Sequence, residues 1–264
     1  MSGVTSALTL SLALVSFAAP ADTRIVIRVQ DDVGLPPAKL AAMVREYTHW
    51  AHLVYGYNEV HDPAPVTLHI TRKVPVAMYG DGVVDLPPDD DAEEMLESWV
   101  HELTHHATGQ DSSFFFKEGI ATHTLEALLL RQRRVPAGWP NYGQACDAWV
   151  ALYRERGRWI PLREALAWAH YDGSSAEADF RSWQLYNIAG SFVGWYVARH
   201  GYAHFREAFR KEWPAEDSFR LEQAWLADVA ARKPERFDPA AALPPGERYR
   251  GFATRLRPAP APPG

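Results

Sequence analysis

The chain has 264 residues, 47% of them hydrophobic and 23% charged, and a formal charge of -6 at pH 7. This is a globular composition with enough apolar mass for a substantial core, either one domain with two lobes or two small domains. No long basic run appears, which argues against nucleic acid as a partner. The single cysteine, Cys146, excludes an intrachain disulfide and any cysteine-based metal site, so a metal would have to be held by histidine and carboxylate.

Leu8 to Ala19 is an unbroken run of small and apolar residues, and Ala19-Pro20-Ala21 resembles a small-residue cleavage site. Residues 1–21 are therefore read as a secretory signal peptide and the chain as exported, although no Lys or Arg precedes the run. The run is too short for a comfortable membrane span. Arg24 to Gln30 is rich in β-branched residues and predicts a strand. Pro36 and Pro37 open a predicted helix to about Tyr55, with Leu40, Met43, Val44, Tyr47 and Trp50 on one face. Val66 to Thr71 alternates cleanly and predicts a second strand. Val76 to Leu86 predicts two short strands about the turn Asp81-Gly82. His49, His52, His61 and His69 in this half are read as surface or packing residues.

Asp91 to Thr108 predicts an amphipathic helix, because Ala92, Met95, Leu96, Trp99, Val100 and Leu103 recur at helical spacing. Asp89, Asp90 or Asp91 can cap its start, Glu93 and Glu94 suit its positive end, and Gly109 can stop it. Almost opposite the apolar stripe stand the histidines of His101-Glu102-Leu103-Thr104-His105. Two imidazoles four residues apart on one helical face suit one tetrahedral metal. Glu102 falls beside them, where a carboxylate could take a proton from water. The same spacing also arises by chance in helices that bind nothing. Glu97, one turn before His101, is read as a solvated charge, with orientation of the His101 imidazole the other role open to it. His106 points to the apolar flank and is read as structural.

Lys117 to Arg134 predicts the next helix, with Glu118 at its start, Thr122, Leu125 and Leu129 on the same face, and His123 pointing away. Trp139 to Gly143 is a turn. Cys146 to Arg156, Leu162 to His170, Ser182 to His200, Tyr202 to Glu212 and a stretch around Ser218 to Val229 predict further helices. Cys146 is read as a buried free thiol. In the Ser182–His200 helix, Ala189, Gly190 and Gly194 leave one side bare for the close approach of another helix. Beyond Pro234 the composition turns to Pro, Arg and Ala, and residues 236–264 are read as a Pro-rich tail whose end has no core to form.

Together, the H-E-x-x-H and Glu118-Gly119-Ile120-Ala121 resemble the H-E-x-x-H and E-G-x-A of the gluzincin zinc peptidases. The likeness is greatest to the small peptidase-MA-like proteins and to the catalytic domain of related aminopeptidases, and it covers roughly residues 66 to 230. It implies that His101, His105 and Glu118 bind Zn2+ and leave a fourth position for water. It implies that Glu102 is the general base. It implies that Tyr186, in Tyr186-Asn187-Ile188-Ala189-Gly190-Ser191, donates a hydrogen bond to the tetrahedral intermediate. It also implies that the strand before the metal helix, Val83 to Leu86, is a sheet edge on which an extended substrate pairs. Two features depart from the family. The gap from His105 to Glu118 is shorter, so the connection must be tight, and Phe114-Phe115-Phe116 replaces the family's Pro-x-Trp.

The expected fold is α+β, a small N-terminal sheet with an edge strand followed by a mainly helical zincin-like lobe. Residues 22–90 would form the N-terminal lobe and 91–235 the helical lobe with the zinc site. The expected function is zinc-dependent hydrolysis of peptide bonds in a peptide or protein substrate, with no nucleic acid and no stable membrane span. Two alternatives stay open: a protease-like module that binds peptides without cutting them, and a helical protein whose two histidines are surface residues.

Overall fold

The computed structural model describes residues 25–89, 91–109, 113–208 and 215–257. The stretch read as a signal peptide and the end of the tail, 258–264, lie outside the described residues. The chain is α+β, with a small N-terminal sheet ahead of a mostly helical body. Strands β1 (Ile27–Asp31), β2 (Val66–Ile70), β3 (Met78–Gly80) and β4 (Val83–Leu86) form the sheet, and α1 (Pro37–Tyr57) connects β1 to β2. Then follow α2 (Ala92–Thr108), α3 (Phe114–Arg131), α4 (Cys146–Glu155), α5 (Leu162–Ala165), α6 (Ala176–His200), α7 (Tyr202–Ala208), α8 (Ala215–Arg232), α9 (Pro239–Ala242) and α10 (Glu247–Arg255).

The sheet order is β1-β2-β4-β3. β2 runs parallel to both β1 and β4, while β3 and β4 form an antiparallel hairpin. Asp81 and Gly82 both have positive φ, 49° and 77°, as a two-residue turn matching strand twist requires. This order corrects the expectation for Val83 to Leu86. β4 is flanked on both sides and β3 is the edge, because the hairpin folds back and lays β3 outside β4. Alternation along β2 buries Val66, Leu68 and Ile70. On the other face His69 bridges Asp85 at 2.6 Å and Asp32 at 3.0 Å.

α1 and α2 close one side of the first core. The Tyr47 and Trp99 rings stack 5.4 Å apart, and Trp99 Nε1 donates to the Tyr47 carbonyl at 3.2 Å. Asp91 caps α2 by accepting the amide hydrogens of Glu93 and Glu94. The α2 stripe of Met95, Leu96, Trp99, Val100 and Leu103 packs with the sheet residues. Packing therefore does not follow the division expected at residue 90, since α2 shares its core with the sheet. The second core is built from α3 onward, around Phe115, Trp149, Trp183, Phe192, Trp225 and Phe252. α3 serves both cores, with Phe115, Phe116 and Ile120 in the second and Leu125, Leu128 and Leu129 in the first.

α3 and α6 lie unusually close. A Cβ on Gly119 would stand 2.9 Å from the Ala189 carbonyl oxygen, and one on Gly190 would stand 2.8 Å from Thr122 Cγ2. The small residues predicted to admit a helix do so, and the helix they admit is the one that carries Glu118. Both helices begin earlier than predicted, α3 at Phe114 and α6 at Ala176. α5 is shorter than predicted and ends at Ala165.

The tail expectation is corrected for residues 236–257. Phe252 of α10 stacks on Trp183 with ring centroids 5.0 Å apart, and Leu256 is fully buried. A few apolar anchors among the Pro, Arg and Ala suffice to hold this segment, each contributing about 1.5–3 kcal/mol. Among the described residues, no helix is long and apolar enough to cross a membrane.

Candidate metal centre

His101 and His105 project from one face of α2, with ring centroids 5.0 Å apart. Glu118 reaches them from α3. Its Oε2 lies 3.2 Å from His101 Nε2 and 3.5 Å from His105 Nε2. The three side chains are largely buried, 12%, 4% and 6% exposed for His101, His105 and Glu118. Glu102 also offers a carboxylate oxygen within 4.8 Å of nitrogen atoms on both histidines. Two carboxylates thus compete for the place of third ligand. Glu118 approaches both Nε2 atoms from the facing helix, which suits a His-His-carboxylate donor set. Glu102 shares the histidines' own helix and stays beside them.

Electrostatics separates the two carboxylates further. Burial pushes Glu102 up, and the charges of His105 and His101 offset this only in part, so its pKa is raised. Burial acts on Glu118 in the same sense, but the charge of His105 and hydrogen bonds from both histidines prevail and hold it well below the usual range. Burial opposes the charged form of His101, but its bond to Glu118 and the charges of Glu102 and Glu118 raise it. Glu118 is thus held ionised, whereas Glu102 takes up a proton more readily than a free carboxylate does. His105 Nδ1 is buried without a hydrogen-bond partner. Two imidazoles with carboxylates beside them could hold a metal ion.

α6 brings Tyr186 to the same place. Its ring is 6.3 Å from that of His101, and its hydroxyl lies close enough to Glu118 to feel the carboxylate's charge. Burial first, then the charges of Glu118 and Glu102, push its pKa well up, so it remains a phenol and a donor. His101, Glu102, His105, Glu118 and Tyr186 therefore share one site. The reading of the sequence missed the aromatic wall beside them. Trp139 and Trp168 pack edge-on against Tyr186, at 5.6 and 5.0 Å, and Phe114 packs on Trp168 at 4.7 Å. Their separation along the chain offers no periodic signal.

Glu97 is corrected. It is buried, not solvated, and its carboxylate accepts the amide hydrogens of Ala137 at 2.9 Å and Gly138 at 2.8 Å. It secures the loop whose next residue, Trp139, packs on Tyr186. His106 is structural, bonded through Nδ1 to the Tyr55 hydroxyl at 2.9 Å. His123 Nε2 lies 2.6 Å from the Tyr57 hydroxyl, away from the site. Cys146 is buried, and burial raises its thiol well above the usual value, which disfavours a nucleophilic thiolate.

Fold and site define an α+β chain with a buried histidine–carboxylate cluster able to hold a metal ion. No protein-family model, curated protein or solved structure matches the chain.

Proposed function

We propose that the chain is a zinc-dependent peptidase of the gluzincin type. The observation that carries this reading is the convergence of His101 Nε2 and His105 Nε2 on Glu118 Oε2, with Glu102 alongside. His101, His105 and Glu118 would hold the zinc. Bound there, zinc would polarise the scissile carbonyl and make the attacking water more acidic. Glu102 takes the proton from that water and passes it to the leaving amine, a role its raised pKa suits. Tyr186 donates its phenolic hydrogen to the oxyanion as it develops. The substrate backbone pairs along β3, which is the edge in place of β4. Export, as expected from residues 1–21, would direct the activity to envelope or extracellular proteins.

The experiment is cleavage of a mixed peptide pool, read as new termini by mass spectrometry, with zinc-loaded wild type and Glu102→Ala side by side. The reading expects cleavage by wild type and a loss of about 100-fold or more in the variant. Peptide binding without new termini in either sample would replace it with the non-cleaving module.

A further inference from the structure

The aromatic wall ends in a charge. From His101 the rings run through Tyr186 and Trp168 to Phe114, and the Nζ of Lys117 stands 5.8 Å over the Phe114 ring. Lys117 is half-buried and lies next to Glu118 in the first turns of α3. That placement is unfavourable for the helix itself, since a cation there opposes the positive N-terminal end, and no acidic residue occupies the first turn to offset it. Among the described residues, no carboxylate lies in ion-pair range of Lys117.

Lys117 has no carboxylate in ion-pair range among the described residues and stands at the end of an apolar wall leading from the candidate centre, so it is placed to meet an anion from outside. We infer that Lys117 determines substrate specificity by pairing with a carboxylate carried by the peptide near the scissile bond. The inference rests on the peptidase reading and names its substrate class. The carboxylate has two possible sources, an acidic side chain or the free C-terminus of a peptide, and both present the same chemistry to an ammonium.

The test uses the zinc-loaded full chain carrying Glu102→Gln to prevent turnover. Its binding is measured by calorimetry to peptides Ala-Ala-Phe-Glu-Ala and Ala-Ala-Phe-Gln-Ala, each as free acid and as amide. A carboxylate-bearing peptide is expected to bind about tenfold tighter than the fully amidated Gln peptide, the size of one charge-assisted hydrogen bond. The tighter member of each pair identifies the source, side chain or terminus. Adding Lys117→Met should abolish the preference, Lys117→Glu should reverse it, and Lys117→Arg should keep it. Equal binding of all four peptides, or a preference that survives Lys117→Met, overturns the inference and leaves the peptidase reading standing. Failure of that reading is seen separately, as absence of zinc from the wild-type chain, and removes both.

Discussion

His101 Nε2 on α2 lies 3.2 Å from Glu118 Oε2 on α3. The contact joins a helix packed on the sheet to a helix that enters the aromatic core. The site therefore sits where the two cores meet, and each core supplies ligands that the other lacks. Its geometry depends on how α2, α3 and α6 dock, which sets the predictions below.

Tyr186→Phe removes the phenolic donor while leaving the ring between Trp139 and Trp168. Turnover should fall about 100-fold, with zinc content and KM little changed, because the bond counts mainly in the transition state. Steady-state kinetics on one cleaved peptide checks it. An unchanged kcat would make Tyr186 a packing residue only. Since its pKa is raised well above the usual value, no loss of activity from Tyr186 ionisation is expected at mildly alkaline pH.

Gly119→Ala pushes a methyl group against the Ala189 carbonyl oxygen, 2.9 Å away, and Val193 Cγ2, 2.8 Å away. A backbone oxygen cannot rotate aside, so α3 and α6 must separate. The expected cost is about 1–3 kcal/mol in stability, read by chemical denaturation. Activity should fall further than stability alone explains, because separation draws Tyr186 from Glu118. A variant as stable and as active as wild type would contradict the close packing.

His123 gives a pH dependence away from the metal site. Burial, with the charge of Arg131 in support, pulls its pKa from near 6.5 down to about 4. Below 6.5 the unfolded chain takes up a proton that the folded chain refuses until about pH 4. Stability should therefore fall as pH drops through this window, by about 3 kcal/mol at most. His123→Gln keeps an acceptor for the Tyr57 hydroxyl and does not titrate. Its stability curve should be flatter than that of wild type between pH 6.5 and 4. Parallel curves would contradict a neutral buried ring.

The local elements were the most legible in the sequence. Apolar recurrence at helical spacing marked α2, and the same wheel placed His101 and His105 opposite the stripe. Asp81-Gly82 marked the hairpin because its two backbone angles demand such residues. What escaped depends on partners distant in the chain. Glu97 looked solvated on its own helix, yet its partners are the amides of Ala137 and Gly138. Val83 to Leu86 carried no sign that β3 would fold outside it. Phe252 lies in a Pro- and Arg-rich segment, and its place is explained by Phe180 and Trp183, far from it in the chain. Lys117 takes its meaning from the ring of Phe114 and from the nearby centre, which no spacing along the chain announces.

Metal content is the decisive measurement. The purified mature chain and a Glu118→Ala variant would be dialysed against trace zinc and analysed by elemental mass spectrometry. About one zinc per wild-type chain is expected, a His-His-carboxylate site being sufficient to hold it, with a sharp loss in the variant. A wild-type chain that takes up no zinc even after reconstitution would contradict it, and would leave the buried histidine–carboxylate cluster as a hydrogen-bonded contact between α2 and α3.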